Sequence, residues 1–544
     1  MKHHHIKYFF VLLLPTLLLT NCNNTEPIIE NSAPKEQFKN VIFIVSDDHS
    51  YKTVGAYGND FIRTPNIDRL AKQGVLFNNA YANAPICSAS RQSMLTAKYP
   101  HATGVNLLFT PFPDDANVTI AEYLKEQDFA TALIGKSHFN HFVYGPLYEN
   151  GAPNHGFDQI IDRAEYRKFL EENPPKPVPD SIKTRESEAP ENPDTQWRKN
   201  AAILPVGVYD ADSEGTFLAN EAIQFIQENN QQDKRFCLWL AFHQPHAPFY
   251  FPVEYADKYE PKSLHLPQGS PEDNRWVPEQ FKDLTEEERR GIIASYYTSV
   301  EYMDKNMGLV LDAVEAQGLS ENTLVVYVSD QGYLLNEHKR FEKHTFWKES
   351  VKSPLIFSGG DKLLKNKKTD ALVELIDMVP TTLDLLGFAP HEDMQGRSFS
   401  PILKEETKNE HRDFVFSEYL NDNKMMVANK DYKYIITSGK RDLDLGYETG
   451  FGPSGIYHKL YDLKADEKET TNLAFMTDKQ AIVQEMQTKM LERFLATHPD
   501  AARVPDELSK IGKLMWFSEP RDVGGEYTDK PYRIFYNDAF EDNF

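Results

Sequence analysis

Val41-Ile42-Phe43-Ile44-Val45-Ser46-Asp47-Asp48 opens with five apolar residues, four of them β-branched, and stops on a pair of carboxylates. A strand with no polar face has no solvent side, so it suits a parallel sheet covered by helices on both faces. Working outward, similar runs recur at Ala130 to Ile134, Phe236 to Phe242, Thr323 to Val328 and Pro354 to Phe357. Helical periodicity separates them at Asn66 to Gln73, Ile120 to Gln127, Gly215 to Glu228, Glu286 to Gln317 and Val373 to Leu386. The alternation predicts an open α/β sheet sandwiched by helices. In such sheets chemistry gathers at the carboxyl ends of the strands. Asp47 and Asp48 fall there after the first strand, His243 and His246 after the third, and Asp330 after the fourth.

Adjacent carboxylates repel one another, and a divalent cation between them relieves that cost. Hard cations such as calcium take carboxylate oxygens at about 2.3–2.6 Å. Asp330-Gln331, in Val328-Ser329-Asp330-Gln331-Gly332, places a second acid-bearing loop at the same sheet edge. A helix-capping or loop role for Asp47-Asp48 is the competing reading.

From about His411 the texture changes to short strands at Asp413 to Tyr419, Lys424 to Asn429 and Tyr432 to Thr437, followed by Leu460-Tyr461-Asp462-Leu463 and then a helix from Asp478 to Thr497. A smaller α+β subdomain on an antiparallel sheet is expected there. The division anticipated is a catalytic domain over residues 41–405 and a C-terminal subdomain over 406–544, as suits a chain of 544 residues. Residues 171–212 form an insertion; Glu171 to Asn200 is rich in Pro, Glu and Lys, lacks periodicity and reads as a surface loop. A net charge of −23 argues against nucleic acid as a partner, which needs a basic face. An anionic substrate then requires a local cluster of Lys, Arg and His to outweigh a diffuse acidic exterior.

The N-terminus is an address rather than fold. Lys2 and Lys7 precede an almost unbroken apolar run from Tyr8 to Leu19, which ends at Leu19-Thr20-Asn21-Cys22. The run falls short of the roughly 20 residues of a spanning helix and has the layout of a secretory signal. It resembles a bacterial lipoprotein signal over residues 1–22, which implies lipidation of Cys22 and a cell-envelope protein in the periplasm or at the outer membrane. Asn21 departs from the small residue usual before that cysteine. Plain secretion is the alternative. Residues 23–40 would be a polar tether.

Three cysteines, Cys22, Cys87 and Cys237, allow neither a metal cage nor a disulfide framework. Cys237 sits inside an apolar strand, where a free cysteine is usually inert. Cys87-Ser88-Ala89-Ser90-Arg91 is different, because a cysteine beside a cation suggests a nucleophile position. With Ser93 to Val105 behind it, the segment resembles the signature of the type I, formylglycine-dependent sulfatases, Cys-x-Pro-x-Arg, with Ala89 where proline is usual. Gly135-Lys136-Ser137-His138 resembles the family's Gly-Lys-x-His element. Phe242-His243-Gln244-Pro245-His246-Ala247-Pro248-Phe249 is similar to its Pro-His-x-Pro element, above all in the iduronate-2-sulfatases. Ser329-Asp330-Gln331-Gly332 through Glu337-His338 resembles a second metal loop, and Leu460-Tyr461-Asp462-Leu463 to Asn472-Leu473 a C-terminal signature.

The resemblance implies an alkaline-phosphatase-like fold, a mixed sheet between helices, and hydrolysis of a sulfate ester. It implies oxidation of Cys87 to formylglycine by a maturation enzyme, with attack on sulfur by its hydrate. Asp47, Asp48, Asp330, Gln331 and the modified Cys87 would hold one Ca2+; Gln331 stands where Asn or His is commoner. Arg91 would hold the hydrate, Lys136 and Lys343 the sulfate oxygens, His246 would protonate the leaving alcohol, and His138 would collapse the sulfated intermediate. His243 and His101 either touch substrate or make structural hydrogen bonds. The substrate implied is a sulfated carbohydrate, of algal type such as ulvan or carrageenan, or a glycosaminoglycan. The membrane would be met only through the lipid anchor. A phosphate or phosphonate ester hydrolase of the same superfamily, and a catalytically dead glycan-binding lipoprotein, are the rival readings.

Overall fold

The computed structural model describes residues 38–113, 116–140, 153–185, 193–271, 273–274, 277–406, 410–420, 423–437 and 456–519. The signal segment with Cys22, and the tether up to residue 37, lie outside the described residues.

In chain order the strands are β1 (Asn40–Ser46), β2 (Gly74–Tyr81), β3 (Ala130–Gly135), β4 (Gln159–Ile161), β5 (Phe236–Ala241), β6 (Thr323–Ser329), β7 (Leu334–Leu335), β8 (Phe341–Glu342), β9 (Leu355–Ser358), β10 (Lys367–Glu374), β11 (Val415–Tyr419), β12 (Lys424–Ala428), β13 (Tyr432–Thr437) and β14 (Tyr457–Asp462). The helices that matter here are α1 (Pro65–Lys72), α2 (Cys87–Thr96), α3 (Ile120–Lys125), α4 (Pro193–Ala201), α5 (Glu214–Gln231), α6 (Glu286–Ala316), α7 (Met378–Leu386), α8 (Gln480–Thr497) and α9 (Lys510–Ser518).

Eight strands form the main sheet in the order β10-β2-β9-β6-β1-β5-β3-β4. β1 lies at its centre, parallel to β5 and to β6, with Ile42 opposite both Leu238 and Val325. Alternate residues of β1 serve opposite layers, as period-two geometry requires. Val41, Phe43 and Val45 pack with Met94 of α2 and Met378, Val379 and Leu383 of α7. Ile42 and Ile44 pack with Ile67 and Leu70 of α1, Leu218 of α5, and Met303 and Met307 of α6. The sheet is mixed because β9 runs antiparallel to both β2 and β6. The continuous apolarity of the first strand thus comes from burial on two faces.

β2, β4 and β10 escape the sequence reading. β10 and β4 are the sheet's edges and β2 is next to one. Edge positions admit polar side chains: β10 begins with exposed Lys367 and Lys368, and Asn78 and Asn79 interrupt β2. The helix expected over Val373 to Leu386 starts late, at Met378, since Val373 and Glu374 finish β10 and a 3-10 turn spans Leu375–Asp377. The stretch read as a surface loop, Glu171 to Asn200, carries most of α4. Its Trp197 is buried against Phe249, Phe281 and Phe341.

The smaller sheet is antiparallel throughout, in the order β11-β12-β13-β14. Its Met425, Val427, Tyr434 and Ile436 meet Met486, Met490 and Phe494 of α8 and Phe517 of α9. A buried ion cluster ties the segment before β11 to the end of β10: Arg412 bonds Asp377 with Nε at 2.7 Å and lies 3.1 Å from Glu374 Oε2.

Candidate active site

The parallel strands converge their carboxyl ends on one point. β1 delivers Asp47 and Asp48, β6 delivers Asp330 and Gln331, and β3 delivers Lys136 and His138, while His243 and His246 follow β5. From the side, α2 contributes Cys87 as its first residue and Arg91 one turn on, and the whole helix is buried. A helix N-terminus carries partial positive charge and favours an anion at Cys87.

Three cations rest on three carboxylates. Lys136 Nζ is 2.5 Å from Asp47 Oδ2, Lys343 Nζ is 2.6 Å from Asp48 Oδ1, and Arg91 Nε is 2.8 Å from Asp330 Oδ2. Arg91 also donates to the Lys136 carbonyl at 3.0 Å and lies 3.5 Å from Asp47 Oδ1. Lys343 Nζ is in addition 3.5 Å from the Cys87 sulfur. His246 Nε2 lies 3.6 Å from Asp48 Oδ2 and is the most open of these groups, its side chain 36% exposed. Asp330 Oδ1 accepts from the backbone N–H of Asp48 and of Gln331, each at 3.0 Å, so that one carboxylate locks the two acid loops together.

The electrostatics follow from burial set against these charges. Burial alone would push the Cys87 thiol up, but Lys136, Lys343 and His138 hold it well below its ordinary value. Burial likewise opposes ionisation of Asp47, yet Lys136, His246 and Arg91 hold it low. Asp330 goes the other way: burial, helped by the like charges of Asp47 and Asp48, pushes it up to about 8 against the pull of Arg91. Burial opposes the His246 imidazolium, but Asp48 and Asp47 carry it above the usual value. His138 is lowered, chiefly by burial, against the opposing pull of the Cys87 it bonds. Cys237, with burial and no cation, is pushed up to about 12.

The residues present fit a divalent cation. Oxygen atoms of Asp47, Asp48 and Asp330 all lie within 4.8 Å of one another. Two ligands held at about 2.3–2.6 Å from one ion can be no more than about 5 Å apart. Asp47 Oδ1 and Gln331 Oε1 are buried with no hydrogen-bond donor, while the Gln331 amide nitrogen donates to Asp48. An amide oxygen left bare beside three carboxylates is what an oxygen-ligand site requires.

Every residue expected at the site is therefore brought together: Asp47, Asp48, Cys87, Arg91, Lys136, His138, His246, Asp330, Gln331 and Lys343. His243 sits at the rim, 3.4 Å from Glu214, and burial pushes it down to about 4. His101 lies elsewhere, in a structural role. Its Nδ1 is 2.9 Å from Glu418 Oε2 and its Nε2 2.9 Å from Thr497 Oγ1. Sequence reasoning missed Tyr296 and Gln92. The Tyr296 hydroxyl donates to the Asp48 carbonyl at 2.6 Å, and Gln92 Nε2 donates to the His138 carbonyl at 2.9 Å. Neither had a signal, since Tyr296 reads as one more apolar position of α6.

Comparison with known proteins agrees with this geometry. Residues 39–388 match the family model for sulfatases, and residues 336–495 match that for the C-terminal part of N-sulphoglucosamine sulphohydrolase. An ulvan-active sulfatase of Formosa agariphila is 27% identical over 403 residues, 72% of this chain and 70% of that protein. Human iduronate 2-sulfatase is 28% identical over 434 residues, 70% of this chain and 75% of that one. Among solved structures, a phosphonate monoester hydrolase from Silicibacter pomeroyi shares the fold, with a TM-score of 0.69 at 20% identity over 86% of this chain and 97% of that one. With its family model matched over most of its length and its motif residues gathered in one buried cluster, the chain belongs to the sulfatase family, the hydrolases of sulfuric esters.

Proposed function

We propose that the chain removes sulfate from a carbohydrate, a sulfated polysaccharide or its fragments, at the Cys87 centre. The observation that carries this reading is the position of Cys87. It is buried at a helix N-terminus, held toward its anion by Lys136, Lys343 and His138, and faces the carboxylate cluster. The carbohydrate preference is supported by the likeness to the ulvan-active and iduronate enzymes.

Asp47, Asp48, Asp330 and Gln331 would hold a divalent cation, in our reading Ca2+, together with the side chain at 87. When present, that ion and a Cys87 oxidised to formylglycine by a maturation enzyme supply an activated hydroxyl nucleophile and neutralise sulfate charge. The remaining work falls to the chain's own residues. Lys136 and Lys343 are compact cations placed to receive sulfate oxygens as charge shifts during ester cleavage. Arg91, fixed by Asp330, orients whatever occupies position 87. His246, kept protonated by Asp48 and Asp47 and open to solvent, gives its proton to the leaving sugar oxygen. His138, neutral and hydrogen-bonded to position 87, takes a proton there to release the product. The N-terminal segment makes the protein an exported lipoprotein anchored through Cys22, and no described helix is long and apolar enough to cross a membrane.

A phosphate or phosphonate ester reading draws on the fold shared with the phosphonate monoester hydrolase. One experiment separates them. The peptide carrying Cys87, isolated from native-host protein, is weighed, and turnover of matched sulfate, phosphate and phosphonate esters is compared. We expect a loss of about 18 Da from conversion of the thiol to the aldehyde, and sulfate turnover well above the others. An intact thiol with retained glycan affinity supports the dead binding lipoprotein, and faster phosphonate turnover supports the rival hydrolase.

A further inference from the structure

A cavity of about 650 Å³ opens beside the catalytic cluster, and none of Asp47, Asp48, Cys87, Lys136, His246 or Lys343 lines it. One wall is Tyr51-Lys52-Thr53, the continuation of the Asp48 loop, and another comes from the excursion between β6 and β9. Three residues of chain span at most about 11 Å, so Tyr51 cannot be far from Asp48. The wall is also rigidly tied to it: Tyr296 Oη accepts from the Ser50 N–H at 2.8 Å and donates to the Asp48 carbonyl at 2.6 Å.

The lining has a particular chemistry. Aromatic rings of Tyr51, Tyr57, Phe61 and Tyr297 face it, and Phe61 is 47% exposed, an unusual position for that side chain. Most of its charges are already satisfied. Lys52 pairs with Glu349 at 2.5 Å and Glu337 at 3.3 Å, His338 with Asp273 at 2.9 Å, and Lys348 with Glu467 at 3.2 Å. Among the described residues of the lining, the other formal charges, Asp60 and Lys468, are exposed and of opposite sign. The second carboxylate oxygen of Glu349, buried with its side chain 4% exposed, has no hydrogen-bond partner. Aromatic faces beside compensated charges suit an uncharged polyhydroxylated ring, whose C–H face stacks on them while its hydroxyls stay in the open, hydrated part of the cavity.

We infer that this cavity is a second carbohydrate-binding pocket, which takes an unsulfated sugar unit of the polymer whose sulfate is being removed at Cys87. The inference rests on the carbohydrate reading above and adds a reason for preferring chains over small esters.

The test uses the matured enzyme with Phe61→Ala and Ser263→Trp, the second filling the cavity from its exposed rim. KM and kcat are measured on long oligosaccharides of a hydrolysed polymer, on its disaccharide and on nitrophenyl sulfate. We expect KM for the long substrate to rise about five- to tenfold in each variant, the size of one lost aromatic contact, with kcat and both short substrates unchanged. Separately, the desulfated oligosaccharide is titrated calorimetrically into Cys87→Ala protein, with and without Ser263→Trp. Heat abolished by Ser263→Trp supports the pocket. Equal KM in wild type and variants, or an equal loss on nitrophenyl sulfate, overturns it, as does binding of desulfated sugar with no length dependence in KM. If the wild type cleaves no sulfate ester while cleaving a phosphonate, the functional reading fails instead.

Discussion

Replacing Lys343 with methionine should tighten cation binding while crippling turnover, two effects that pull in opposite directions. In the structure Lys343 Nζ sits 2.6 Å from Asp48 Oδ1, a buried charge-assisted contact at an oxygen that the proposed cation would need. Such a bond is worth about 1.5–3 kcal/mol net, and it must be broken or weakened when Asp48 turns to an ion. Methionine has a similar length and no charge, so that competition disappears. The Kd for Ca2+, measured by calorimetry on chelator-stripped protein, should fall about 10- to 150-fold, at 1.4 kcal/mol per decade. The same ammonium lies 3.5 Å from the Cys87 sulfur, where sulfate oxygens would gather. Loss of one preorganised donor at developing charge costs about 10²–10³ in kcat, so steady-state turnover of nitrophenyl sulfate should drop by that factor at saturating Ca2+. Unchanged or weaker Ca2+ binding would show that Lys343 supports the ion rather than competing with it. A kcat within a few-fold of wild type would remove it from the reaction altogether.

His246→Gln should slow sulfate release from a sugar by about 10²–10⁴ and barely affect nitrophenyl sulfate, whose leaving group needs no proton; equal losses on both substrates would refute the acid role. Arg412→Met leaves Glu374 and Asp377 buried without their cation and should cost about 3–5 kcal/mol, read as the displaced midpoint of a urea transition; a cost below about 1 kcal/mol would mean water replaces the pair. Burial opposes ionisation of Glu418, but His101 and Arg493 hold its carboxyl down at about 2 against an ordinary 4.5. A depressed acid stabilises the fold above its unfolded value and loses that contribution as pH falls through its folded one, here about 3 kcal/mol between pH 4.5 and 2. The stability gap between wild type and Glu418→Gln should therefore narrow across that window, and a gap independent of pH would contradict the assignment.

What the sequence reveals depends on how local the physics is. β1, β5 and β6 were legible because burial on both faces leaves only apolar residues. β10, at an edge, carries Lys367, Lys368 and Asp370 and looks like loop. The strand-end rule placed Asp47, Asp48, His243, His246 and Asp330 in one region, but Lys136, His138 and Lys343 needed the family resemblance, since a single Lys has no periodicity to read. His101 shows the limit plainly. Its function depends on Glu418, 317 positions away, and no pattern near either residue announces the pair. Tyr296 is equally silent, being 248 positions from the Asp48 carbonyl it secures.

The reversal of β9 beside β6 has an evolutionary consequence. Val328 and Leu355 are paired neighbours, so residues 330–354 leave and return at the same edge of the sheet. That excursion holds Asp330 and Gln331 at its root, the short β7–β8 ribbon within it, and Lys343 just beyond. A segment clamped at both ends can be lengthened cheaply, about 0.6 kcal/mol for each doubling. Descendants of one ancestral enzyme can thus remodel what the tip of this arm presents to a substrate while inheriting Asp330 and Gln331 at its base unchanged. Diversification across many esters then needs insertions and deletions in one arm rather than a redesigned scaffold.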